Sequence, residues 1–319
     1  DASRGVIAWN ESPDVPFDRS INPYRGCEHG CIYCFARPTH AWLDYSPGLD
    51  FETKIVYKAD APSLLKKALE KKSYVCQPIA LGVNTDAYQP AERHLNITRS
   101  VLQVLDRSHH PVGIVTKSAL IERDLDILAS LAERRLCHVM ISLTTLDKTL
   151  ARRMEPRAAA PHRRLRTIER LRAGGIPVGV MVAPVIPALN DQELETLLET
   201  ARNAGAMDAG YVIIRLPLEV KTLFKVWLDE HYPLKAERIM NRIRDLRGGK
   251  EYDARFGKRM SGEGVYAQLI KKRFDAAVKK YGFPGLPSFD TTAFRPDTPQ
   301  MDLFRSSGVV DSATDPWLD

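Results

Sequence analysis

Short apolar runs rich in β-branched residues recur along the chain at 79–83, 112–116, 139–143, 178–183 and 211–215. Between them, apolar residues repeat at the helical period over 62–72, 91–108, 119–135, 147–154, 162–173 and 191–203. Local punctuation agrees. Pro62, behind Asp60 and Ala61, suits a first helical turn, and Gly174-Gly175 suits the stop before the strand at 178. A further short strand near 20–24 brings the series to six βα units. Strands this apolar are buried on both faces, as in a parallel sheet with helical crossovers. Six units fall short of a closed eight-stranded barrel. The pattern therefore predicts an α/β chain with a partial (β/α)6 TIM-like barrel over 20–217 and its site at the C-terminal ends of the strands. A doubly wound open sheet is the alternative.

Beyond Arg215 the pattern changes. Residues 221–282 carry 16 Lys/Arg against 8 Asp/Glu, whereas the whole 319-residue chain has a formal charge of +6. The basicity is thus concentrated in a C-terminal helical extension, 218–282, with breaks expected at Gly248-Gly249 and from Gly257 to Gly264. From 283 to 319 Pro, Asp, Ser and Thr dominate, which predicts an extended or disordered tail. Residues 1–19 form an N-terminal extension without a basic-then-apolar signal pattern. No apolar run approaches the roughly 18 residues of a membrane helix. A cytoplasmic chain with no membrane partner is expected.

The five cysteines are unevenly placed: three fall at 27, 31 and 34, while Cys76 and Cys137 stand alone. Such an odd set is no disulfide framework, and clustered thiols in a reducing compartment point to metal. Isolated Cys76 and Cys137 read as packing residues. In Cys27-Glu28-His29-Gly30-Cys31-Ile32-Tyr33-Cys34, three thiolates can hold three irons of a cubane and leave the fourth open to chemistry. Gly26 and Gly30 let the loop wrap closely. The competing reading is a zinc site with His29 or His40 as fourth ligand.

This loop, following the first strand of a βα series, resembles that of the radical S-adenosylmethionine superfamily. The flanking Asn22-Pro23-Tyr24-Arg25-Gly26 and Ala36-Arg37-Pro38 resemble more narrowly its branch related to spore photoproduct lyase. The likeness spans roughly 17–217. It implies one [4Fe–4S] cluster on Cys27, Cys31 and Cys34, S-adenosylmethionine on the open iron, and an external electron donor. Homolysis of the cofactor would then give a 5′-deoxyadenosyl radical that abstracts hydrogen from substrate. Tyr33 would lie against adenine, and Asn84, Thr85 and Asp86 match the region that contacts the methionyl amine. Lys117 and Ser118 would meet the carboxylate or ribose, Ser142 and Thr144 the ribose hydroxyls, and Val185-Ile186-Pro187 would flank adenine.

From the residues alone, Asn84 and Asp86 also suit a helix cap, Lys117 a surface position, and Arg215 either a substrate contact or a salt bridge. In spore photoproduct lyase a cysteine beside the second-strand motif returns hydrogen to product. Here Leu81, Gly82, Val83 and Asn84 supply no thiol, which argues against the lyase reaction itself. Tyr88 is an alternative donor, or a packing residue.

Two features favour DNA or RNA as substrate. One is the basic extension, with Lys258-Arg259 and Lys271-Lys272-Arg273, whose competing reading is a solvated helix face. The other is Gln300-Met301-Asp302-Leu303-Phe304, which resembles the peptide that docks bacterial DNA-metabolism proteins on the polymerase sliding clamp. Leu303-Phe304 pinning the tail to its own domain is the other reading. A radical enzyme acting on a nucleic acid, by repair or modification, is the leading expectation. A radical enzyme on a peptide or small metabolite, and a non-enzymatic zinc-stabilised nucleic-acid-binding protein, are the alternatives.

Overall fold

A computed structural model describes residues 5–297. At its N-terminal edge β1 (Ile7–Trp9) pairs antiparallel with β2 (Arg19–Ile21). A separate ribbon joins β3 (Tyr24–Arg25) to β4 (Val56–Tyr57). Parallel strands β5 (Ile79–Leu81), β6 (Val112–Thr116), β7 (Cys137–Ser142), β8 (Val178–Val185) and β9 (Asp208–Ile213) follow. The main sheet runs β1-β2-β5-β6-β7-β8-β9, so its six parallel strands with their helices make the expected partial TIM-like barrel. The edge strand β1 was hidden in what the apolar pattern marked only as an extension.

The helices are α1 (Asp50–Thr53), α2 (Ala61–Leu69), α3 (Glu92–Leu95), α4 (Ile97–Arg107), α5 (Leu125–Glu133), α6 (Lys148–Met154), α7 (Pro161–Ala173) and α8 (Leu194–Asn203). Three departures from the periodic pattern have local causes. The 91–108 stretch breaks at Asn96, which adopts φ 53°, because buried Glu92 folds back to accept from the Thr98 and Arg99 amides at the start of α4. The 119–135 and 191–203 stretches each open with a short 3-10 segment. The last strand ends at Ile213 rather than 215, which leaves Ile214 and Arg215 beyond it.

Register divides the sheet into two faces. Ile114, Val139, Ile141, Val178 and Val180 are buried. The alternate positions run in rows, Ser20–Ala80–Gly113–His138 and Val115–Met140–Gly179. Glycine there makes room, since a Cβ on Gly179 would meet the Met140 sulfur at 2.6 Å. Small residues on this face thus make room for the methionine side chains of neighbouring strands.

The basic extension folds as α9 (Val220–His231), α10 (Pro233–Asp245) and α11 (Gly264–Tyr281), interrupted at the two glycine regions. About half of its cations are ion-paired within the fold. Arg273 pairs with Glu195, Lys271 with Asp275, Lys258 with Glu263 and Arg259 with Asp14. The tail from Phe283 to Asp297 is extended but not loose. Gly285, Asp290 and Arg295 donate backbone hydrogen bonds to Met207, Arg135 and Ser108. Phe289 stacks on His138 at 3.9 Å, and Phe294 meets His110 edge-on at 5.4 Å. The strap therefore crosses the N-terminal ends of the strands, where aromatic burial outweighs the polar composition that suggested disorder. The 300–304 peptide lies outside the described residues. No helix among those described is long and apolar enough to cross a membrane.

Candidate active site at the cysteine loop

The three cysteines follow β3 on a loop held from outside. Gly26 has φ +83°, and a Cβ there would meet His40 Cε1 and the Phe51 carbonyl at 2.9 Å, so glycine is required for the turn. Arg37, fully buried, donates from Nε to the Cys31 carbonyl at 2.9 Å and from Nη1 to the Pro47 and Gly48 carbonyls. Gln89 accepts from the Glu28 amide at 2.9 Å and donates to the Gly26 carbonyl at 3.1 Å. These side chains satisfy the loop backbone, which leaves all three thiols free.

Strand ends converge behind the loop. The Lys117 ammonium, just past β6, lies 3.5 Å from Cys31 Sγ, 3.2 Å from the Tyr33 hydroxyl and 3.5 Å from Glu155 Oε1. The Tyr33 hydroxyl donates to Glu155, as does Thr144 at 2.8 Å. Arg164 closes the group from α7, pairing with Glu155 and donating to the Ser142 carbonyl at 3.0 Å. Burial would raise the Glu155 carboxyl, but the Arg164 and Lys117 charges hold it well below the usual carboxylate range. Burial also opposes the Lys117 charge, yet Cys31, Tyr33 and Glu155 together raise its pKa well above normal. Two cations facing one carboxylate leave net positive charge beside Cys31, which suits a thiolate-bound anionic group.

The other sequence-selected residues divide by position. Asn84 is exposed at the rim, its amide donating to Asn22 Oδ1 at 3.0 Å. Thr85 is buried and donates to the Tyr24 carbonyl at 2.7 Å. Asp86 is tied to the neighbouring strand, accepting from Thr116 Oγ1 at 2.7 Å and the Lys117 amide at 2.9 Å, with His29 Nδ1 at 3.4 Å. Burial opposes its charge, but His29 and these donors bring its pKa down to about 2. Ser118 caps the short helix that follows β6, accepting from Leu120 at 3.2 Å. Ser142 and Thr144 flank the end of β7, within 3.5 Å of the Ala183 carbonyl. Val185 and Pro187 are buried around a turn organised by Asn190, which donates to the Thr144 and Pro184 carbonyls. Arg215 forms no ion pair among the described residues. Its guanidinium lies 4.5 Å over Phe35, next to Cys34, and its Nε is buried without a partner.

Sequence reading missed Glu155, Arg164 and Gln89, and gave Arg37 no role beyond its place in the Ala36-Arg37-Pro38 motif. Glu155, ahead of Pro156 and just past α6, reads as an ordinary helix end, since its partners lie far away in the chain. Tyr88 is buried, and Cys137 opens β7 at the end away from the site. Cys76 is half-buried ahead of β5.

The residues fit a cubane better than zinc. His40 and His29 each keep a buried Nδ1 without a hydrogen-bond partner, but neither is grouped with the cysteines around one ion among the described residues. No three His, Cys, Asp or Glu side chains among the described residues are grouped to hold a single ion. A cubane asks something different, because each thiolate binds its own iron. Burial pushes the bare Cys31 thiol up to about 11 and also raises the Cys27 thiol well above its ordinary range, so metal binding must displace protons.

Comparison with known proteins agrees. The Radical SAM superfamily matches residues 21–201. An uncharacterized protein of Mycobacterium tuberculosis is 35% identical over 283 residues, 87% of this chain and 79% of that protein. One from Methanocaldococcus jannaschii is 29% identical over 223 residues, 70% of this chain and 79% of its own. Spore photoproduct lyase complexed with dinucleoside spore photoproduct shares the fold at TM-score 0.61 and 16% identity, over 86% of this chain and 77% of that one. A mutant of the same lyase, with bound AdoMet and the dinucleoside, matches equally well at TM-score 0.61. These likenesses set the zinc-protein alternative aside. The chain belongs to the Radical SAM superfamily, whose enzymes work with a [4Fe–4S] cluster and S-adenosylmethionine.

Proposed function

We propose that this radical enzyme acts on a nucleic acid, repairing or modifying a base, with Cys27, Cys31 and Cys34 as the cluster ligands. When bound, the cluster supplies the electron that splits S-adenosylmethionine into methionine and the radical that takes hydrogen from substrate. The chain's own residues orient and shield. Lys117, kept charged by Glu155 and 3.5 Å from Cys31 Sγ, would receive the cofactor carboxylate. Tyr33, Thr144 and Ser142 line the adjoining strand ends and offer contacts to adenine and ribose. Buried Val185 and Pro187 would flank adenine, Ser118 would support Lys117 from the next residue, and Asn84, Thr85 and Asp86 would serve the region of the methionyl amine.

The observation that carries the substrate class is Arg215. It is a guanidinium at the barrel mouth, stacked on Phe35 beside Cys34 and free of any ion pair among the described residues. A phosphate is a natural partner for such a group. The shared fold with a lyase complexed with a dinucleoside adds support. Residues 81–84, from the end of β5 onward, supply no thiol, which argues against that lyase's own reaction. A peptide or small metabolite remains the second reading, favoured by the internal pairing of the basic extension.

The test is deuterium transfer. Anaerobically reconstituted protein with dithionite and labelled DNA or RNA should return deuterium in 5′-deoxyadenosine, and Cys31→Ala should produce none. Transfer only from peptides or metabolites would reject the nucleic-acid reading.

A further inference from the structure

An open depression lies outside the cofactor region, between the N-terminal edge of the barrel and the loop ahead of α11. It has a volume of about 370 Å³ and is lined by Trp9, Asn10, Glu11, Ser12, Phe256 and Arg259. Trp9 is 66% exposed and Phe256 59% exposed, so two large rings lining one depression face water. We propose that this depression is a stacking subsite for an unpaired nucleobase next to the nucleotide that reacts. The inference rests on the nucleic-acid reading above and adds where and how the strand is gripped.

Both rings are held in place. Arg19 Cζ lies 4.7 Å from the Trp9 ring centroid, and Arg259 Cζ lies 4.6 Å from that of Phe256. Arg19 is itself held by Asp18 at 2.7 Å, and Arg259 by Asp14 and Ser12. The Gly257 amide donates to Asp14 at 2.6 Å, which staples the two walls of the depression together. A guanidinium covers one face of each ring and leaves the rest available. Preformed platforms bind planar ligands with little ordering cost.

Position and chemistry point to the same occupant. The Met260 carbonyl accepts from Ile213 at the end of β9, and Met260 Sδ touches Arg215 at 3.9 Å. Arg215 in turn covers Phe35, which follows Cys34. The depression is therefore joined to the cysteine loop through a continuous row of side chains, along which a strand leaving the barrel mouth would run. In Arg255-Phe256-Gly257-Lys258-Arg259 the cations are paired with Asp253, Glu263 and Asp14, so what the segment offers a base is the exposed Phe256 ring itself, a face on which any base can stack. Asn10 and Ser12 are hydrogen-bonded within their loop and to Arg259, so the two rings carry the recognition.

The test uses the reconstituted full chain under anaerobic conditions, with fluorescein-labelled single strands of DNA and of RNA and matched abasic strands. Trp9→Ala and Phe256→Ala are each expected to weaken binding to the natural strand by about tenfold or more. Trp9→Phe should retain most of the affinity. Abasic strands should bind the wild type weakly and the variants no worse. Wild-type binding that survives both alanine substitutions would sink the subsite while sparing the nucleic-acid reading. Equal losses on natural and abasic strands would mean backbone contact and would also overturn stacking. If the wild type binds no strand of either kind, the nucleic-acid reading falls first and takes the subsite with it.

Discussion

The Lys117 ammonium sits 3.5 Å from the Cys31 sulfur across 86 residues of chain. Glu155, under the same ammonium, keeps it charged in a buried setting, so Cys31 faces a fixed cation. Exchanging Lys117 for Met removes a charge-assisted contact worth about 1.5–3 kcal/mol. S-adenosylmethionine cleavage should fall by about 10- to 100-fold, while iron and sulfide content stay at wild-type levels. Unchanged release of 5′-deoxyadenosine would rule Lys117 out of cofactor binding.

Glu155→Gln leaves the Arg164 guanidinium buried without its counter-charge. Breaking one side of such a pair costs about 3–5 kcal/mol. Urea unfolding should show the loss as a lower midpoint. The double replacement Glu155→Gln, Arg164→Gln should cost less than the two single changes combined, because neither charge is then stranded.

His110 offers a pH signature away from the cluster. It is fully buried, with Nδ1 on the Pro111 carbonyl at 3.0 Å and Nε2 taking the Tyr74 hydroxyl at 2.7 Å. Burial brings its pKa down to about 4, so the folded protein holds it neutral. The unfolded chain, titrating near 6.5, therefore takes up the proton first as pH falls. Stability from neutral His110 is complete above pH ~6.5 and is lost progressively toward pH ~4, by about 3 kcal/mol at most. His110→Asn should flatten that part of the urea-midpoint profile. An unaltered slope would count against the assignment.

Phe289 closes the end of the barrel opposite the cysteines, stacked on His138 and near Gly113. Phe289→Ala should cost about 1–3 kcal/mol from lost burial and stacking. Amide exchange at the first residues of β6 and β7 should accelerate, with no matching change at the cysteine loop.

The 300–304 peptide makes a separate prediction. Pull-down with a bacterial sliding clamp should retain the full chain and lose the Leu303→Ala, Phe304→Ala double variant. Retention of the double variant would exclude this contact.

Apolar runs buried on both faces announced the parallel strands, and three thiols within eight residues announced the metal, because both signals are local. The strand at 112–116 was legible to the residue for that reason. The last strand was misplaced because Gly210, which makes room for Met181, interrupts the apolar run that marks it. Glu155 was invisible for another reason. It becomes part of the site only when α6, β7 and the cysteine loop meet, and Tyr33 is 122 residues away.

By itself, then, the chain's order of residues determined the barrel class, the cysteine loop and the chemistry that loop can support. Tertiary structure alone decided that Lys117, Glu155 and Arg164 share one buried charge balance. It also decided that a polar tail lies pinned under the barrel and that Trp9 meets Phe256 across an open depression. Periodicity records which face of an element is buried, but carries no label for the distant partner it is buried against.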